Sequence, residues 1–313
     1  MRGTSPVPSA CYRPLVVASV RVASLHVYPV KSLRGVDVPS VQVEPWGPRG
    51  DRRWMVVTHD GTTLTAREHP RMLGVRATPV EGALRLSAPG VPDLLVAEPG
   101  DRAPDVAVGL SRLDRATSAG PEADTWLSGA LERPVRLVWL DDPTRRPVSL
   151  AHGGRPGDPL TLADAGPLLV TTEASMAALN RWIADRALES ADPTGSPQPP
   201  APLPMERFRP SLVVSGDLEA FAEDRWATLR AGDVELRFAE QCDRCVLTTV
   251  DLDALVTGKE PIRTLARHRR ADGKVWFGIR MVPTTTGEVR VGDLVEVVEA
   301  DGAARAGRVA FGS

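Results

Sequence analysis

A chain of 313 residues, with a quarter of them charged and a formal net charge of −2, is long enough for two domains or one large β-rich domain. It lacks the clustered positive charge of a nucleic-acid surface, and no apolar run reaches membrane-spanning length, so neither a nucleic-acid partner nor a membrane span is expected. Three cysteines, and an apolar stretch at 15–20 that is too short for a secretory signal and runs into Arg21, give the cytoplasm as the expected location.

In chain order, short strands dominate the first part, at 20–28, 54–58, 83–87 and 93–96, punctuated by Asp60-Gly61 and Pro89-Gly90 turns. Residues 123–131 place Trp126, Leu127, Ala130 and Leu131 on one helical face, and Pro134 stops the helix before a strand at 135–140. Asp164 falls in a loop ahead of a strand at 168–171. Thr172 is an N-cap residue for a helix over 173–187, with Met176, Leu179, Ile183 and Ala187 along one stripe. The Pro-rich stretch 192–204 reads as an exposed flexible loop rather than a domain boundary, because strands resume at 211–214. Further strands are expected at 234–238, 246–250, 275–279 and 288–298, with a basic helix from Glu260-Pro261 to about residue 270. The fold class is mostly β with flanking helices (α+β), two strand-rich halves that suggest β-barrels.

Two of the three cysteines sit three positions apart in Cys242-Asp243-Arg244-Cys245. A Cys-x-x-Cys can hold zinc, run thiol–disulfide exchange, or be two ordinary cysteines. Zinc needs four ligands, and neither the distant Cys11 nor the five histidines supply the spacing. A redox motif of thioredoxin type opens a helix, whereas Val246 to Val250 favours extended backbone. Cys245 begins that expected strand, which gives it a fixed position, while Cys242 falls in the preceding loop and is expected to be dispensable. A thiolate beside Arg244 is a soft ligand or a nucleophile. Only three of the 38 basic residues are lysines, so Lys31, in Tyr28-Pro29-Val30-Lys31-Ser32, has survived where a solvated lysine would more often have become arginine.

Those segments, with Gly50-Asp51-Arg52-Arg53-Trp54, Thr65-Ala66-Arg67, Arg207-Phe208-Arg209-Pro210, Ala222-Glu223-Asp224, Gly232-Asp233-Val234-Glu235-Leu236 and Val291-Gly292-Asp293, occur in order over 19–298. Together they resemble the MOSC-domain proteins with a MOSC N-terminal β-barrel domain, the group that contains the mitochondrial amidoxime reducing component and its bacterial relatives. The resemblance implies an N-terminal domain over 19–140, a MOSC domain over 148–300, and the molybdenum cofactor as prosthetic group. Cys245 matches the molybdenum-ligating thiolate, and one protein sulfur suffices where the cofactor brings two of its own. Lys31, Ser32, Arg52, Arg209, Ser211, Asp243 and Arg244 match cofactor-binding positions, supplying cations and donors for a phosphate and a pterin; Arg53 and Arg207 are neighbours left outside that set. Asp164 matches an acidic residue near the metal, where a carboxylate relays protons, although an ordinary turn aspartate reads equally well.

The chain departs from the family pattern in places: Ser211 stands where Asn is common, Ala165 and Gly166 where hydroxyl residues occur, Asp243 where serine is common, and Phe277-Gly278-Ile279 where Phe-Gly-Gln is usual. No dinucleotide fingerprint, haem attachment motif or ferredoxin cysteine pattern is present. The expected activity is therefore that of a molybdenum-dependent oxidoreductase reducing N-oxygenated small molecules with electrons from a separate donor of ferredoxin or flavoprotein type. Two alternatives stay open: a sulfur carrier or persulfide relay related to cofactor sulfurases, and a non-catalytic cofactor-binding module. Pyridoxal phosphate enters only as a family-level association, since no desulfurase domain that binds it is visible.

Overall fold

The computed structural model describes residues 20–189, 200–300, 309 and 311. Its largest sheet runs Val295–Glu299, Trp226–Ala231, Val234–Asp243, Lys274–Pro283, Leu168–Thr172, Leu212–Ser215, Arg21–Val27 and Val36–Val38, with Arg270–Ala271 added at one strand. The bridge between Arg21 and Leu294, with Val22 N–H to Asp293 O at 2.9 Å and Val295 N–H to Val20 O at 2.9 Å, joins the first strand to the last and closes the sheet into a barrel. Closure removes the unpaired edges that an open sheet of this length exposes. Trp226, Leu25, Val170, Leu212 and Met281 fill the interior. Pairing is antiparallel except where Leu168–Thr172 and Leu212–Ser215 run parallel, joined through the helix Glu173–Glu189.

A second core lies among Trp54, Val56, Leu64, Met72, Leu84, Leu127 and Leu137, under smaller sheets that include Arg76–Val80, Ala83–Ala88 and Val91–Ala97. The helix Pro121–Leu131 buries Ala123, Leu127 and Leu131 there, on the expected face. A third cluster joins Met55, Val57, Val138 and Leu140 to Leu162. Helices Glu173–Glu189 and Ile262–His268 pack outside the barrel through Met176, Leu179, Ile183 and Leu265, against Phe208 and Phe277. Thr172 caps the longer helix as expected, its Oγ1 accepting the Ser175 N–H at 3.1 Å. Of the Pro-rich stretch, 192–199 lies outside the described residues, as does Cys11. Leu203 is tied to the Asn180 side chain, its N–H donating to Oδ1 at 2.9 Å and its carbonyl accepting from Nδ2 at 3.2 Å.

Two expected strands differ. Val246–Thr249 is a 3₁₀ turn, because Thr248 and Thr249 donate their hydroxyls back to the carbonyls of Cys245 and Val246 at 3.0 and 2.7 Å. Such local bonds compete with a strand ladder and outweigh the β propensity of this run. The strand expected at 288–298 is two strands, Gly287–Arg290 on Ser40–Glu44 and Val295–Glu299 on Trp226–Ala231. Gly292 breaks it with a φ of 92°, a left-handed conformation that glycine adopts without penalty. The basic helix is shorter than expected, Ile262–His268.

Candidate functional site

Each chemistry-bearing segment is fixed by a buried apolar neighbour. Lys31 and Ser32 lie between Val30 and Leu33, both fully buried; Asp164 follows Leu162; Phe208 separates Arg207 from Arg209. Backbone bonds then tie these segments together: Lys31 N–H to Trp54 O at 2.8 Å, Arg52 N–H to Tyr28 O at 2.8 Å, Leu162 N–H to Arg52 O at 2.8 Å and Ser211 N–H to Leu169 O at 2.8 Å. The strand Lys274–Pro283 carries one extra residue opposite Cys242, where the register passes from Gln241↔Ile279 to Asp243↔Trp276. Gly278 (φ 75°) forms this bulge against Val170 O, and bulges of this kind bend a strand and re-aim its side chains.

The result is one cleft lined by all nine residues singled out in the sequence: Lys31, Ser32, Arg52, Asp164, Arg209, Ser211, Asp243, Arg244 and Cys245. Arg67, Arg207 and Arg280 line it as well, whereas Arg53 points away, donating to Leu140 O and Asp141 O. Arg67 belongs to the Thr65-Ala66-Arg67 motif, where the sequence alone assigns it no role. Arg280 has no place in the sequence reading; the available signal is a charged residue inside the otherwise apolar run 275–283. Ser211 Oγ accepts the Leu169 N–H at 3.4 Å, so part of its capacity serves the backbone.

Asp164 accepts from Lys31 Nζ and from Arg67 Nη2, the latter at 2.7 Å. Burial works to raise the Asp164 carboxyl; the Lys31 ammonium, followed by the Arg67 and Arg280 guanidiniums, outweighs it and holds the group well below the usual carboxylate range. Lys31 is buried and also donates to Leu162 O at 3.0 Å. Its ammonium is pulled below the ordinary lysine value by burial, which Asp164 only partly offsets. Arg52 and Arg209 both lie over the Tyr28 ring, their guanidinium carbons 4.4 and 4.3 Å from its centroid. Arg52 is paired with buried Asp51 at 2.6 Å, whereas Arg209 donates to Leu33 O at 2.7 Å and has no carboxylate partner among the described residues. Burial, and then the Arg52 charge, push Arg209 down to about 10. Ser32, Arg52 and Arg209 all take left-handed backbone, with φ of 68°, 46° and 56°. Strained non-glycine residues of this kind concentrate where a site holds groups in fixed positions.

The two cysteines have environments opposite to those expected. Cys242 is buried at the end of the strand Val234–Asp243, and Cys245 is exposed at the N-cap of the 3₁₀ turn. The Arg67 guanidinium is raised above its ordinary value by Asp164 first, against the opposing effect of burial, with a smaller contribution from Cys245. Arg244 donates to Cys242 Sγ at 2.9 Å and to Phe208 O at 2.6 Å. Asp243 pairs with Arg280 at 3.0 Å and Lys274 at 3.4 Å, which outweigh burial and hold its carboxyl below the ordinary value. Arg207 pairs with Asp251 at 2.6 Å.

Seven cations thus line the cleft against two acids, in a chain of net charge −2. Nε of Arg207 and Nε of Arg244 are buried there without a partner. Buried donors without partners and a surplus of cations suit an anionic ligand rich in acceptors. Among the described residues no group of three His, Cys, Asp or Glu side chains is placed to hold a metal ion, so a metal in this cleft would bring ligands of its own, with the exposed Cys245 thiol as the soft donor on the wall. The donor set therefore fits a cofactor with a phosphate, a polar ring system and a thiolate-seeking metal.

Comparison with known proteins agrees with this architecture. Residues 19–134 match the MOSC N-terminal beta barrel domain and residues 157–296 the MOSC domain. Mitochondrial amidoxime-reducing component 1 of Homo sapiens is 34% identical over 294 residues, covering 88% of this chain and 82% of that protein. The protein of the same name from Xenopus laevis is 32% identical over 295 residues, with 88% and 81% covered. That from Danio rerio is 34% identical over 267 residues, with 81% and 76% covered. Among the described residues no helix is long and apolar enough to cross a membrane. With both domains matched in order and identity above 30% over most of both chains, the protein belongs to the MOSC-domain family of the amidoxime-reducing components.

Proposed function

We propose that this protein is a molybdenum-cofactor-binding oxidoreductase that reduces N-oxygenated small molecules, drawing electrons from a separate donor of ferredoxin or flavoprotein type. The observation that carries this reading is the convergence of Lys31, Ser32, Arg52, Arg209 and Cys245, spread over more than 200 residues of sequence, on one cleft with surplus positive charge. Residues 19–140 and 148–300 are its two domains in sequence, with Arg21–Val27 and Val36–Val38 of the first paired into the barrel of the second. Lys31, Arg52 and Arg209 would bind the cofactor phosphate and pterin, helped by Ser32, Ser211 and Arg244, while Asp243 would act indirectly by holding Arg280 in place. Cys245, the exposed thiol, would give the metal its protein sulfur. When bound, the cofactor supplies the two-electron chemistry of N–O cleavage.

Such a reduction consumes two protons and releases water, and the residues facing the cleft handle them. Asp164, held ionised, is an acceptor that orients a substrate N–H or a water. A proton passing through it is taken up against the charges of Lys31 and Arg67 and so leaves readily. Lys31 stores a proton at Nζ, made more acidic by burial. Arg67, an exposed side chain on the cleft lining, holds Asp164 in place.

The test is direct. Purified protein should contain molybdenum and yield pterin oxidation products, and with a reduced viologen as donor it should convert an amidoxime to the amidine. Protein without molybdenum or pterin, carrying instead a persulfide on Cys245, would overturn the reductase reading in favour of sulfur relay.

A further inference from the structure

We propose that Cys242 is a positioning residue, whose sulfur fixes the Arg244 guanidinium on the cleft wall. The proposal rests on the cofactor reading, in which Arg244 is one of the binding groups. Cys242 is 4% exposed and sits opposite the Gly278 bulge, in the ladder between Lys274–Pro283 and Val234–Asp243. Its thiol faces Asp243 O at 3.5 Å, which leaves the sulfur lone pairs to accept from Arg244 Nη1 at 2.9 Å. The other terminal nitrogen, Nη2, donates to Phe208 O at 2.6 Å, and the guanidinium carbon lies 5.2 Å from the Phe208 ring centroid. Arg244 has no carboxylate partner among the described residues. A planar fork gripped at both terminal nitrogens cannot turn. Its remaining nitrogen, Nε, carries a buried N–H without a partner. Both cysteines line the cleft, exposed Cys245 open to it and buried Cys242 bonded to an arginine of its wall.

The experiment compares Cys242→Ala and Cys242→Ser, each alone and combined with Arg244→Gln, reading retained pterin per chain together with kcat and KM for an amidoxime. Cys242→Ala should lower retained pterin roughly tenfold, the size of one hydrogen bond to a charged group. Cys242→Ser should restore most of it, because a hydroxyl accepts from the guanidinium as the sulfur does. Arg244→Gln should cost as much as Cys242→Ala, and adding Cys242→Ala to it should cost nothing more. Full pterin content in Cys242→Ala, or losses that add, would overturn the proposal. Failure of the cofactor reading shows separately, as wild-type protein without pterin. The pair is then read by urea unfolding of that protein, where non-additive effects of Cys242→Ala and Arg244→Gln uphold the positioning contact and additive ones refute it.

Discussion

Glu223 is fully buried beside the N-terminus of the helix Glu173–Glu189, and its Oε2 accepts hydroxyl hydrogens from Ser175 at 2.8 Å and Thr172 at 3.1 Å. Its other oxygen has no partner. Burial, reinforced by the neighbouring Asp224 charge, pushes the carboxyl from 4.5 up to about 7. The folded state therefore holds this proton more tightly than the unfolded chain. The stability it contributes is complete below the unfolded value and is lost as pH rises through the folded one. At about 1.4 kcal/mol for each tenfold change in proton affinity, the whole window is worth about 3 kcal/mol. About 2.5 kcal/mol of that falls between about pH 5 and about pH 8. Glu223→Gln keeps an acceptor for Ser175 and Thr172 and removes the titration. Urea unfolding of both proteins at the two pH values isolates the effect, because every other titrating group cancels in the difference. The Gln variant should gain about 2.5 kcal/mol on wild type as pH rises. A difference that does not change with pH would refute the burial argument.

Cys245→Ser should lose molybdenum and amidoxime reduction together while unfolding normally, since the side chain is exposed; metal analysis and a viologen-coupled assay check both. Asp164→Asn should keep pterin yet lose turnover by roughly a hundredfold or more, the scale of a lost proton-transfer group; equal losses of pterin and turnover would show that the carboxylate only holds Lys31 in place. Gly278→Ala should destabilise by more than about 1 kcal/mol in urea, because φ is positive there and a Cβ would stand 2.9 Å from Val170 O.

What the sequence made legible was local. Alternating short strands and turn signals sufficed for the fold class, and the Thr172 cap and the stripes of two helices read correctly because capping and periodicity are set within a few residues. Lys31 stood out against an arginine-rich background, but its partner Asp164 lies 133 residues away, and no local pattern carries a pairing of that range. The same holds for the pairing of Arg21–Val27 with Leu212–Ser215, which completes the barrel. The cysteines were read in reverse. The run from Val246 to Val250 has the composition of a strand, and only the hydroxyl bonds of Thr248 and Thr249 to preceding carbonyls turn it into a 3₁₀ helix, leaving Cys245 exposed and Cys242 in the ladder. No local pattern marks Arg67 or Arg280, because a single arginine in an arginine-rich chain carries no sign of the carboxylate it meets in the fold.

The backbone at the cleft carries a further physical meaning. Of the eight non-glycine residues with positive φ among those described, three, Ser32, Arg52 and Arg209, line this one cleft. Left-handed backbone costs about 1–2 kcal/mol per residue, and glycine at any of the three would remove that cost. Side chains are kept there in spite of it. Two of the three are guanidiniums held against the one ring of Tyr28, where like charges repel and only Asp51 stands in ion-pair contact with either among the described residues. A chain that accepts backbone strain and charge repulsion at the same point is more stable with an anion bound than without one. Phosphate-bearing ligands should therefore raise the unfolding temperature of this protein, and Arg209→Gln should shrink that rise while relieving the repulsion in the ligand-free state.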